Sequence, residues 1–211
     1  MHVPKPRLRG WLHQIAFFVS IPSGITLVAL AQGAEARVGA TIFALSLTGL
    51  YGVSGAYHRR DWSARAERVM KHLDHSMIFV LIAGSYTPIT LLALRPAWGV
   101  TLLALAWTGA AVGIFITILR LERWHGVGFV AYLVLGWLAV VATPQLVSAL
   151  SGAELALLIA GGLLYTVGAV VIARNRPDPR PAVFGYHEVW HSFVVGAGAC
   201  HFTLVLLLVR G

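Results

Sequence analysis

His187 and His191 stand four residues apart in the stretch HEVWHSF. On a helix that spacing separates two imidazoles by about 40° around the axis and about 6 Å along it, so both rings can reach one point. With Glu188 beside them the stretch reads H-E-x-x-H, the pattern in which two histidines bind zinc and the glutamate is the general base of a metalloprotease. Ser54 and His58, in SGAYH, share the same four-residue relation. Catalytic zinc takes three protein ligands and keeps its fourth position for water or substrate, and His58, His187 and His191 as neutral imidazoles satisfy that count. Asp74, in HLDHS, would hydrogen-bond the metal water or a ligand imidazole. Ser54 would hydrogen-bond the site and help hold an oxyanion.

These residues must be brought together by elements built for a membrane. Of 211 residues, 58% are hydrophobic and only 11% charged, whereas a soluble domain of ordinary composition carries about 25% charged. A bilayer core needs about 20 apolar residues per helix. Seven segments meet this, at approximately 11–31, 38–57, 72–94, 97–119, 126–143, 153–173 and 184–209. The expected fold is therefore an all-α integral membrane protein, with residues 1–211 as one seven-helix domain. Arg95-Pro96 and the proline-rich RNRPDPRPAVFGY punctuate the chain, since proline cannot continue a helix. The basic, then apolar N-terminal stretch lacks an A-x-A cleavage site and is expected to stay as the first span. The single cysteine, Cys200, permits no intramolecular disulfide. The net charge of +8 does not point to nucleic acid, because the basic residues sit in short clusters between apolar runs instead of covering one face.

Those clusters report orientation. Lys5, Arg7, Arg9, Arg59, Arg60, Arg65, Arg68, Lys71, Arg120, Arg123, Arg174, Arg176 and Arg180 fall on one side of a seven-span arrangement, and only Arg37, Arg95 and Arg210 on the other. By the positive-inside rule the N-terminus is cytoplasmic and the C-terminus outside. Ser54 and His58 then close span two in the cytoplasmic leaflet. His72, Asp74 and His75 open span three there, and His187, Glu188 and His191 open span seven. Ionisable groups inside a bilayer are costly, so their convergence at one depth marks a functional site.

Other polar residues carry plainer readings. His72 and His75 are expected to be polar tips at headgroup level, His13 and His125 to be interfacial, and His201, about 80° off the face of His191, to serve packing or a secondary polar contact. Trp11, Trp98, Trp124 and Trp190 lie near span ends, as an aromatic belt would. The loop RRDWSARAERVMKH is expected to form a short helix on the inner leaflet surface. No repeat relates the two halves of the chain, so an inverted-repeat transporter has no support.

SGAYH closing span two, HLDHSMIFVLIAGSYTP opening span three and HEVWHSFVVGAGACHF opening span seven together resemble the hemolysin III family. This is the bacterial branch of the progestin and adiponectin receptor family. The resemblance implies a Zn2+ held by His58, His187 and His191, with Asp74 contacting zinc-bound water and Ser54 in the first motif. It also implies distant kinship with alkaline ceramidases. The function expected is hydrolysis of lipid amides or esters at the cytoplasmic leaflet, with membrane lipids as partners and an acyl chain as substrate. The alternative is a receptor-like or pore-forming, haemolytic protein with a structural zinc. The protease motif is expected to be accidental: it lies in the last span, no aspartate follows it, and Glu188 points about 100° away from His187.

Overall fold

The structure, a computed structural model, describes residues 5–120 and 125–211. Its elements are helical: α1 (Trp11–Leu30), α2 (Ala34–Arg59), α3 (Ala64–Leu92), α4 (Pro96–Arg120), α5 (His125–Gly136), a 3₁₀ segment (Trp137–Ala142), α6 (Thr143–Ala149), α7 (Gly152–Arg174) and α8 (Tyr186–Arg210). Seven candidate spans are long and apolar enough to cross a membrane, with α5, the 3₁₀ segment and α6 together making the fifth. Large apolar side chains such as Phe18, Ile25, Leu45, Val100 and Phe115 point outward, as they do where the surrounding solvent is hydrocarbon.

Span boundaries depart from the sequence expectation in two places. The loop expected to lie on the membrane surface is instead the start of α3, which begins at Ala64 and runs unbroken through His72. Ser63 caps it by accepting from Ala66 N, and ARAERVMKH contains no residue that would stop a helix. The fifth span does not end at residue 143 but continues to Ala149. Pro144 cannot donate a backbone hydrogen bond, yet it starts a new helical turn without strain. The 3₁₀ break before it leaves backbone groups that need partners. Tyr86 of α3 supplies them, donating to Gly136 O at 3.0 Å and accepting from Ala139 N at 2.7 Å, and Thr143 Oγ1 donates to Val140 O.

Helix packing uses small residues, as membrane interfaces do. Gly39 of α2 lies so near α3 that a Cβ there would come 2.9 Å from Pro88 Cα. α2 packs on α3, α1 on α2 and α8, and α7 on α8. Phe43, Leu47 and Leu50 of α2 meet Val194 and Val205 of α8 in the principal core. The proline-rich stretch after α7 is non-helical, as expected. It receives the N-terminal segment alongside, with Arg7 N donating to Ala182 O and Leu8 N to Val183 O, both at 3.0 Å. A cavity of about 580 Å³ opens between α3, α5, α7 and α8.

Candidate metal centre

The last turn of α2 and the first two turns of α8 meet at the end of the bundle that carries the basic loops. His58 comes from the former, and His187 and His191 from the latter. One ligand-capable atom from each of the three rings lies within 4.8 Å of the other two, an arrangement able to hold a metal ion. His58 Nε2 and His187 Nε2 are 3.1 Å apart. Nitrogens around a tetrahedral zinc, at about 2.0–2.1 Å from the metal, sit roughly 3.3 Å from one another, so this pair already stands at ligand spacing. His191 is buried, and its Nδ1 has no hydrogen-bond partner among the described residues. A buried imidazole nitrogen left unpaired is costly, and the donor set is the imidazole chemistry that suits zinc.

Asp74 enters from α3, one turn below the end of the cluster. Its Oδ2 is 3.8 Å from His58 Nε2 and 3.9 Å from His75 Nδ1, too far for direct hydrogen bonds and near enough to reach them through one bridging group. The Ser54 hydroxyl, one turn before His58 on α2, is a hydrogen-bond partner of the Asp74 carboxylate. All five residues expected from the sequence thus share one pocket of space. Ser54, Asp74, His187 and His191 also line the cavity, which places the cluster at its mouth.

Several neighbours differ from their expected roles. His13 is not interfacial: it is 3% exposed, and its ring stacks on that of His191 with centroids 3.7 Å apart and planes 9° from parallel. A lone histidine in the first span carries no spacing signal for this, because the contact depends on how α1 packs against α8. His72 is not a headgroup tip, since its Nδ1 donates to Thr117 O of α4 at 3.1 Å. His75 Nδ1 donates to Lys71 O, and the residue borders the cavity. Trp190 also lines the cavity instead of joining an aromatic belt. His201 lines it too. Measured from His187, fourteen residues earlier, His201 is only about 40° off the same helix face. Trp124 and Arg123, and the side chain of His125, lie outside the described residues.

Glu188 has a role of a different kind. Its Oε2 accepts from Gly185 N at 2.8 Å, capping α8, and its Oε1 pairs with Arg9 Nε at 2.6 Å. The carboxylate is 1% exposed and is engaged by the N-terminal segment through Arg9. Arg9 therefore does more than bias topology. The next residue, Gly10, has φ 77°, and a Cβ there would come 2.7 Å from His58 Cβ, so the N-terminal segment passes directly against a cluster histidine.

Comparison with known proteins agrees with this architecture. A family model described as Haemolysin-III related matches residues 1–202. Hemolysin-3 of Bacillus cereus is 38% identical over 200 residues, covering 93% of this chain and 88% of the relative. A Hemolysin-3 homolog of Bacillus subtilis (strain 168) is 36% identical over 197 residues, covering 92% and 89%. Matched almost from end to end, the seven-span chain that folds His58, His187 and His191 together is a member of the haemolysin III family.

Proposed function

We propose that His58, His187 and His191 hold a zinc ion and that the protein hydrolyses an amide or ester bond of a membrane lipid at the cytoplasmic leaflet of a bacterial inner membrane. The observation that carries this is the placement of three mutually close imidazoles and a carboxylate at the mouth of a cavity of about 580 Å³. That volume is in the range of sites that enclose small-molecule ligands. Zinc bound there supplies a Lewis acid that polarises a carbonyl and lowers the pKa of water toward about 7. The protein's own contributions follow from position. Asp74 Oδ2 receives the proton of the attacking water and returns it to the leaving group. Ser54 holds the Asp74 carboxylate in place from α2. Leu81, Ile82 and Val194 form an apolar wall for the acyl chain and keep bulk water from it.

Metal analysis of the purified protein should give about one zinc per chain, lost on combining His187→Ala with His191→Ala. Unchanged zinc content in that variant would remove the site. Asp74→Ala should abolish fatty acid release from lipid amides while the metal stays bound; equal product from wild type and variant would remove the hydrolase reading. The name of the relatives, Hemolysin-3, favours a second reading, a lytic membrane protein in which the metal is structural. That reading predicts dye release from vesicles by the Asp74→Ala protein equal to wild type.

A further inference from the structure

The cavity has polar atoms at both ends. At the far end from the cluster, His201 of α8 and Tyr165 of α7 line it with ring centroids 5.6 Å apart. Both ring nitrogens of His201 and the Tyr165 hydroxyl are buried and lack a well-aligned hydrogen-bond partner among the described residues. The Leu158 carbonyl stands to one side of the imidazole. A carbonyl only accepts, so it selects the tautomer whose N–H faces it and leaves the other nitrogen as an acceptor. Tyr165, whose polar neighbours are Tyr51 and Cys200, offers an O–H donor. Gly161 makes the room: a Cβ there would overlap the His201 ring. Leu50, Ile78 and Val194 give the cavity an apolar wall, and the Ser85 and Thr166 hydroxyls that also line it already donate to Leu81 O and Gly162 O.

We propose that His201 and Tyr165 form a second subsite that takes a hydroxyl on the chain of the bound lipid. It rests on the reading that the cavity holds an acyl chain whose polar head lies at the histidine cluster. A hydroxyl is the group that fits both partners, since it donates to the imidazole nitrogen and accepts from the phenol. Ten residues separate His191 from His201, about 15 Å along the helix. An extended hydrocarbon built from C–C bonds of about 1.5 Å advances roughly 1.3 Å per carbon, which sets the hydroxyl about twelve carbons from the head group. The subsite therefore selects mid-chain hydroxylated lipids over plain ones.

The test is binding of two fatty acids to the purified, metal-loaded protein, followed by tryptophan fluorescence: stearic acid, and the same chain with a hydroxyl about twelve carbons from the carboxylate. Two hydrogen bonds to the hydroxyl should make the hydroxylated chain bind about tenfold tighter. His201→Phe and Tyr165→Phe should each reduce the preference and together remove it, with stearic acid affinity unchanged. Gly161→Ala, which pushes the His201 ring aside, should reduce it as well. Equal affinities in wild type, meaning that water alone satisfies these atoms, would overturn the proposal. So would a preference that survives the double substitution, or failure of both fatty acids to bind. Fatty acids have no bond to cleave, so an intact preference without turnover of lipid amides defeats the hydrolase reading alone. Turnover without a preference defeats the subsite alone.

Discussion

Replacing Glu188 distinguishes a structural anchor from a catalytic base. Its carboxylate is 1% exposed and meets an Arg9 side chain that is 19% exposed. Removing one partner of a buried pair costs about 3–5 kcal/mol, because the other charge stays in a poor solvent. Arg9 keeps some access to solvent, so the lower end of that range applies. Glu188→Ala also strips Gly185 N of its acceptor at 2.8 Å, adding about 1 kcal/mol. The total expected is about 4 kcal/mol. Glu188→Gln keeps an oxygen for Gly185 and should lose less, while Arg9→Met leaves the more deeply buried carboxylate stranded and should lose toward the upper end, about 5 kcal/mol. Reversible unfolding by SDS in mixed micelles, followed by tryptophan fluorescence, measures each value. The Arg9→Met, Glu188→Ala double variant should fall short of the summed losses by about 2 kcal/mol. Losses that add to within about 0.5 kcal/mol would refute the ion pair. An unchanged stability of Glu188→Gln with complete loss of activity would instead restore the protease base.

Two further substitutions probe the frame around the cluster. Gly39→Ala should destabilise by about 1–3 kcal/mol in the same unfolding assay, since its Cβ would meet the Pro88 backbone at 2.9 Å and α2 must retreat from α3. His13→Ala should weaken zinc retention against a chelator, because the His191 ring loses the face packed at 3.7 Å, whereas His13→Phe should keep it.

The parts of the site that could be read in the sequence are those set by helical spacing and membrane depth. His187 and His191 fall on one face by their four-residue interval, and the alternating basic loops put His58 and Asp74 at the same end. Neither rule says which helices touch. The stack of His13 on His191 and the pairing of Arg9 with Glu188 require the N-terminal segment and α1 to lie against α8, and the approach of Gly10 to His58 requires them to lie against α2, long-range contacts with no local signature. His201, about 80° from His191, packs on Gly161 and Tyr165, and the cavity follows the broader stripe of His187, Trp190, Val194 and His201. The fifth span, expected to end at residue 143, continues past Pro144 to Ala149, and Tyr86 of a distant helix meets the backbone at Gly136 and Ala139 where the 3₁₀ segment begins. Glu188 is the reverse case, a residue whose motif was conspicuous and whose work is to hold an end of the chain.

That hold has a consequence for how the protein is made. Two of the three clustered histidines lie on α8, and the ion pair that seats the N-terminal segment needs Glu188 from the same helix. A ribosome-bound chain that has threaded six spans into the bilayer owns one histidine of the cluster and an unpaired Arg9. On the proposed assignment the three-histidine set is complete only once α8 has been made, so chains truncated before α8 should emerge without the ion.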